Sequence, residues 1–217
     1  RSDHLVALTS GTGSWKVAEQ IAFYTIMEDV SVADVSSETV HYRLLGEKAI
    51  ELLQFPGKCP PHGSVSLDVG GVDCLGLRSE FGQISCIDVL APAKFAGRIR
   101  AIFMQAGAEP LTDESFERLR ILLGEPSCGA ELSEQYNPLE AGLRRYISFN
   151  KGCYIGQEVI ARLNAYDKVQ RRLVRLAWPE GECKEGAELR LQGKVVGILT
   201  SATCGDDQRI GIGYVRR

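Results

Sequence analysis

Residues 150–163 read NKGCYIGQEVIARL and carry the residue types best suited to chemistry. A thiol, Cys153, stands two places after an amine, Lys151, and shortly before a run with helical period. An ammonium near a thiol favours the thiolate, which is the nucleophilic form. If 150–153 is extended, Lys151 and Cys153 share a face, because side chains along a strand alternate with period two. Gly156 breaks the chain, and Gln157 opens a predicted helix with Val159, Ile160 and Leu163 turned inward. The first N–H groups of such a helix lack intrahelical partners and, with the macrodipole, leave its start weakly positive. This arrangement permits a nucleophilic or redox thiol, or an anion-binding corner. A small cysteine packed in a core, with Gly152 and Gly156 serving a tight turn, would leave the same residues in the sequence. Glu158 and Arg162, four apart, read either as site charges or as a surface pair worth about 0.3–0.5 kcal/mol. Tyr154 reads as a core residue or as a flat face for a heteroaromatic ring.

Other chemical signals are weaker. LVALTSGTGSWK offers strand, Gly-x-Gly and helix, but Lys16 stands where a dinucleotide fingerprint needs its third glycine, and there is no Walker lysine pattern. Arg171, Arg172 and Arg175 suit phosphates, yet arginines on a strand also simply solvate an exposed face, and an acidic chain is a poor generic nucleic-acid binder. The three histidines (His4, His41, His62) are scattered, and no Ser/His/Asp layout is legible. Seven cysteines, at 59, 74, 86, 128, 153, 183 and 204, are odd in number and never C-x-x-C. That spacing argues against a disulfide framework and a zinc site, so no metal is expected, and it favours a reducing compartment.

The elements that must hold these residues follow from periodicity. His4–Thr9 is predicted as a strand, and Trp15, Ala18, Ala22 and Ile26 as a helix capped by Ser14. Val40, Tyr42 and Leu44 alternate as on a strand, and 47–53 is a short helix. FPGKCPPHG, 55–63, is a breaker-rich loop. Val65–Val69 and Cys74–Arg78 flank Gly70-Gly71 as a hairpin, and 84–90 is a third strand. A helix after Pro92 presents Phe95, Ile99, Ile102 and Phe103 and ends at Gly107. Thr112 caps the next, whose predicted inner face is Phe116, Leu119 and Leu123. PLEAGL makes a short helical turn, and 147–149 is extended. Beyond Asp167, RRLVRLAW, AELRLQGKVVGILTSA and RIGIGYVRR read as strands with glycine turns, a small all-β module and a candidate barrel. Helices and hairpin-connected strands before it make the fold class α+β.

With 217 residues, 44% hydrophobic and 24% charged, the chain can bury a sizeable core. No apolar run reaches the roughly 18 residues of a membrane span, and the start lacks a signal-peptide layout. The net charge of -3 is unevenly spread. Residues 1–143 hold 11 Lys/Arg against 20 Asp/Glu (-9), and residues 144–217 hold 14 against 8 (+6). The basic part contains Cys153 and suits an anionic ligand or partner; drifting surface charge would look the same.

Several of these segments resemble one family. KGCYIGQE, 151–158, resembles the signature K-G-C-[FY]-x-G-Q-E of the YgfZ-type folate-binding proteins, relatives of the glycine-cleavage T-protein that act in iron–sulfur protein maturation. LRILLGEP (119–126) resembles the family's L-R-I-x-x-G-x-P, and NPLEAGL (137–143) its P-x-E-x-G-L. VVGILTSA and IGIGYVRR resemble its C-terminal barrel segments, and the wording is most similar to cyanobacterial and plastid members. The resemblance implies T-protein-like α+β subdomains that bind tetrahydrofolate, here 1–168, followed by a β-barrel, 169–217. The resemblance also implies that the family's N-terminal segment, which helps wall the folate site, is missing here. Carried over by position, Cys153 and Lys151 take catalytic roles. Arg120, Glu140, Gly152, Tyr154, Gly156, Gln157, Glu158 and Arg162 become cofactor-binding positions. The implied function is an accessory factor in iron–sulfur protein assembly or repair, working with that machinery or its clients, as a monomer in a plastid stroma, mitochondrial matrix or bacterial cytoplasm. A T-protein-like aminomethyltransferase, passing a one-carbon unit to tetrahydrofolate, is the alternative. A tRNA- or protein-docking module using Arg171 and Arg172 is the third.

Overall fold

The computed structural model describes residues 5–10, 13–56, 63–166, 168–181, 184–205 and 208–217. Two compact units divide the chain, Arg1–Pro110 and Leu111–Arg217. Each combines helices with a four-stranded antiparallel sheet, which makes the fold α+β.

In the first unit, strands β1 (Thr39–Leu45), β2 (Ser64–Asp68), β3 (Asp73–Phe81) and β4 (Ile84–Pro92) pair in the order β1-β4-β3-β2. The β2–β3 hairpin turns where the sequence puts Gly70-Gly71. Both glycines have positive φ (61° and 78°), and the Gly71 N–H donates to Asp68 Oδ1 at 3.0 Å. Ile87, Val89 and Ala91 of β4 alternate onto a core shared with Ala49 of helix α2 (Lys48–Leu52) and with Ile99 and Phe103 of helix α3 (Ala96–Gln105). Each large side chain so buried contributes about 1.5–3 kcal/mol. Tyr42 joins sheet to helix: its ring meets Phe103 edge-on at 5.6 Å and its hydroxyl donates to the Ala96 carbonyl at 2.7 Å.

The N-terminal readings need correction. Residues 5–10 form no strand, and His4 lies outside the described residues. Helix α1 (Ser14–Tyr24) forms, but its N-cap is Gly13 with no side-chain cap, and it buries no residue. The capping rule chose Ser14 one position late. Of the 55–63 loop, residues 57–62 lie outside the described residues.

In the second unit, strands β5 (Arg171–Trp178), β6 (Glu188–Leu191), β7 (Lys194–Cys204) and β8 (Arg209–Arg216) pair in the order β5-β8-β7-β6. Glycines let these strands approach closely: a Cβ at Gly197 would strike the Tyr214 carbonyl across the β7–β8 pair. Helix α4 (Asp113–Leu123) starts where Thr112 Oγ1 accepts from the Ser115 N–H at 3.1 Å, and ends at Gly124 in the left-handed region, φ 76°. Its buried residues are Arg120 and Ile121, while Phe116 is 37% exposed. The inner face is therefore shifted from the predicted one, because a charged residue with buried partners replaced an apolar one. Ile121 packs with Ile210, Ile212 and Leu173 in a small apolar cluster. Helix α5 (Gln157–Ala165) begins at the predicted residue but buries nothing, and Val159 is 50% exposed. Residues 147–149 form no strand.

Candidate functional site

Two carboxylates organise the second unit. Glu140 sits in a turn built by its own neighbours. Asn137 Oδ1 accepts from the Leu139 and Glu140 N–H groups, both at 3.0 Å, and Glu140 Oε2 accepts from the Asn137 N–H at 3.2 Å. This reciprocal capping holds a 7%-exposed carboxylate in place. Arg171 Nε lies 3.8 Å from Glu140 Oε1, which is attraction without a hydrogen bond. The Arg171 guanidinium lies 5.4 Å from the Tyr136 ring centroid, and Tyr136 stacks on Tyr214 at 3.5 Å.

The second carboxylate, Glu131, is wholly buried. It accepts from Thr200 Oγ1 (2.5 Å), Ser201 Oγ (2.6 Å), the Ser127 N–H (2.9 Å) and Arg120 (3.1 Å). Burial alone would raise its pKa, but these hydrogen bonds and the Arg120 charge outweigh burial and hold the carboxyl below its ordinary range. Arg120 also donates to Glu117, to the Glu125 carbonyl and to Ser201. Its donors are thus engaged inside the unit. Tyr214 completes the cluster by donating to the Glu131 carbonyl at 2.9 Å, and burial pushes its own pKa up. Sequence reasoning reached Arg120 and missed Glu131, Thr200, Ser201 and Tyr136. A lone glutamate between Gly129 and Leu132 carries no local signal for partners seventy residues away.

The 150–158 segment differs from the extended arrangement. Residues 149–152 are bends and 155–156 a turn, so strand alternation does not set Lys151 and Cys153 on one face. The Lys151 ammonium lies 4.9 Å from the Tyr154 ring centroid instead. Cys153 is a free, exposed thiol, so the packed-core reading of it is set aside. Gly156 is the N-cap of α5 at φ 84°, where only glycine fits without strain. Gly152 has an ordinary φ, and a Cβ there would meet nothing within 4 Å. Gln157 Oε1 accepts from the Tyr154 N–H at 3.1 Å, which ties the turn to the helix start. Glu158 and Arg162 form no ion pair among the described residues, contrary to the i, i+4 expectation. Nor does any hydrogen bond or ion pair among them join the 151–162 segment to Arg120 or Glu140. The proposed site residues therefore fall into three groups: Arg120 with Glu131, Glu140 with Arg171, and Lys151 with Tyr154 and Gln157.

A further polar cluster lies in the first unit. Asp88, 2% exposed, accepts from His41 Nε2 (2.7 Å), Arg43 Nε (2.7 Å) and Ser79 Oγ (2.5 Å). Burial raises its pKa, and the bonds from His41, Arg43 and Ser79 more than reverse this, leaving it far below the usual carboxylate value. Ser79 and His41 both donate to the same carboxylate. The serine therefore has no base, and no triad is formed. Among the described residues, no group of His, Cys, Asp and Glu is arranged to hold a metal ion, and no helix is long and apolar enough to cross a membrane.

No family model matches the chain. It is 32% identical, over 98% of its length, to a chloroplastic protein of Arabidopsis thaliana that carries a provisional transferase name, and it covers 51% of that protein. It is 25% identical over 80% of its length to an aminomethyltransferase of a Thermoanaerobacter species, covering 50% of it. Its backbone matches the crystal structure of the glycine cleavage system aminomethyltransferase T from Bartonella henselae. The TM-score is 0.75 at 19% identity, over 94% of this chain and 58% of that one. The chain spans about half the length of the curated relatives it matches. Together the relatives and the shared fold support the glycine-cleavage T-protein superfamily, the aminomethyltransferase-like proteins, for this chain.

Proposed function

We propose that the chain belongs to a tetrahydrofolate-binding, aminomethyltransferase-like protein. The observation that carries this reading is Glu140: a buried carboxylate, fixed by its own turn, in a chain with the aminomethyltransferase T fold. One Glu140 oxygen has no hydrogen bond shorter than the 3.8 Å approach of Arg171, so it can accept from the N–H-rich edge of a pterin. Arg144, Arg145 and Arg162 are cations on the same stretch of chain, suited to the carboxylates of a folate tail. These residues fit the group in chemistry. Tetrahydrofolate, when bound, supplies amine nitrogens that accept a one-carbon unit. The residues of this chain bind and orient it: Glu140 as acceptor, Tyr154 as an apolar face, and Gln157 by keeping the Tyr154 turn rigid. Titration calorimetry with tetrahydrofolate tests this. Glu140→Gln, which keeps shape and removes charge, is expected to weaken binding at least tenfold. Equal affinity in the two proteins would refute the assignment, and methylene-tetrahydrofolate formation from an aminomethyl donor would establish transfer.

A second reading, folate-dependent support of iron–sulfur protein assembly or repair, is favoured by one observation. Cys153 is an exposed thiol inside the signature KGCYIGQE, three residues before the glycine cap of α5, while the Lys151 ammonium lies over Tyr154. Here Cys153 acts as nucleophile or redox thiol on a client protein in a plastid, and Arg120 supports the fold from within. Cys153→Ser would then leave folate affinity intact and abolish restoration of iron–sulfur enzyme activity.

A further inference from the structure

On its sheet the second unit holds an open groove of about 680 Å³, which borders the Glu140 turn at Arg171. It is lined by Arg171 and Arg216, by Glu188, and by Val195, Gly197 and Ile198. The register explains its charge. Arg171 and Arg216 are direct cross-strand partners in the antiparallel β5–β8 pair, so their side chains leave the same face side by side. Like charges placed opposite each other destabilise a sheet. The nearby acids offset the charge of Arg171 alone. Glu188 is already paired with Arg190 at 2.6 Å. Glu140 approaches only Arg171, at 3.8 Å. Arg216 has no hydrogen-bond or ion-pair partner among the described residues.

Across the neighbouring rows, Glu188 faces Ile198, and Ile198 faces Tyr214. Next to them Gly197 has no side chain, because a Cβ there would strike the Tyr214 carbonyl. The groove therefore joins a bare apolar floor to a pair of guanidinium forks. Its volume lies in the range of small-molecule sites, roughly 300–1,000 Å³. Two guanidinium groups side by side match one oxyanion in bidentate fashion.

We propose that this groove binds a small organic oxyanion, its carboxylate or phosphate held between Arg171 and Arg216 and its carbon body resting on Val195 and Ile198. The groove shares Arg171 with the Glu140 turn, but its test rests on Arg216, so its failure is distinguishable from failure of the Glu140 test. Arg216 is the residue to vary, because Arg171 also faces Glu140. Calorimetry on the full chain in about 0.15 M NaCl, with citrate and pyrophosphate as probes and acetate as reference, distinguishes a carboxylate from a phosphate ligand. At least one probe is expected to bind tenfold or more tightly than acetate. Arg216→Gln should lose at least tenfold of that affinity, while Arg100→Gln, the same charge change in the first unit, should lose none. Arg216→Lys keeps the charge and the fold, and should still lose severalfold because it lacks the fork. The proposal fails if neither probe exceeds acetate, or if Arg100→Gln weakens binding as much as Arg216→Gln.

Discussion

At the scale of single residues, buried charge is the dominant theme. Glu131 is surrounded by donors from three parts of the second unit: Ser127, Arg120 of α4, and Thr200 and Ser201 of β7. A buried ion pair need not stabilise a fold relative to an apolar replacement, but removing one partner strands the other. Glu131→Gln removes the buried one of Arg120's two carboxylate partners, leaving Glu117, and turns an acceptor oxygen into a donor amide among donors. The expected cost is about 1–3 kcal/mol, read as a shift in the urea midpoint. Cys153→Ser, at an exposed position, should change that midpoint by less than about 0.5 kcal/mol. This contrast separates a residue that holds the fold from an exposed thiol available for chemistry.

At the scale of elements, the ends of α4 follow local rules while its buried face does not. Thr112 satisfies one of the N-terminal N–H groups, and Gly124 takes the left-handed conformation that ends the helix. Thr112→Ala should destabilise the protein by about 1 kcal/mol, measured by thermal unfolding followed at 222 nm. The helix buries Arg120 and Ile121, a choice made by what stands across from it. Helix α5 teaches the same lesson from the other side. Its start at Gln157 is readable because Gly156 must precede it, but Val159 is exposed because none of the described residues of the second unit buries that face.

At the scale of the whole molecule, each unit contains a buried carboxylate held ionised by donors: Asp88 in the first and Glu131 in the second. For a carboxyl whose pKa is depressed on folding, the unfolded chain binds the proton more readily. The stabilisation is complete above the ordinary values, 3.8 for Asp and 4.5 for Glu, and is lost as pH falls below them. The urea midpoint should therefore hold between pH 7 and pH 5 and drop steeply by pH 3. Asp88→Asn, though less stable at pH 7, should show a shallower acid drop. An equal drop in the variant would mean that Asp88 does not carry this dependence.

From Val40 onward, neighbouring residues set the types and order of the helices and strands, apart from the extended reading of 147–149. Strand alternation, helical period, caps and glycine turns are properties of neighbouring residues, so β1 to β8, α2 to α5 and the Gly70-Gly71 hairpin were all legible. The 151–158 segment stood out by residue type, and the family resemblance pointed to Arg120 and Glu140. The sequence could not show that Arg120 belongs to Glu131, that Lys151 lies over Tyr154 and away from strand alternation with Cys153, or that Arg171 and Arg216 emerge side by side. Those facts depend on register and on partners up to 45 residues distant. Buried charges and cross-strand neighbours are selected by what surrounds them in space, and only the folded chain brings that surrounding together.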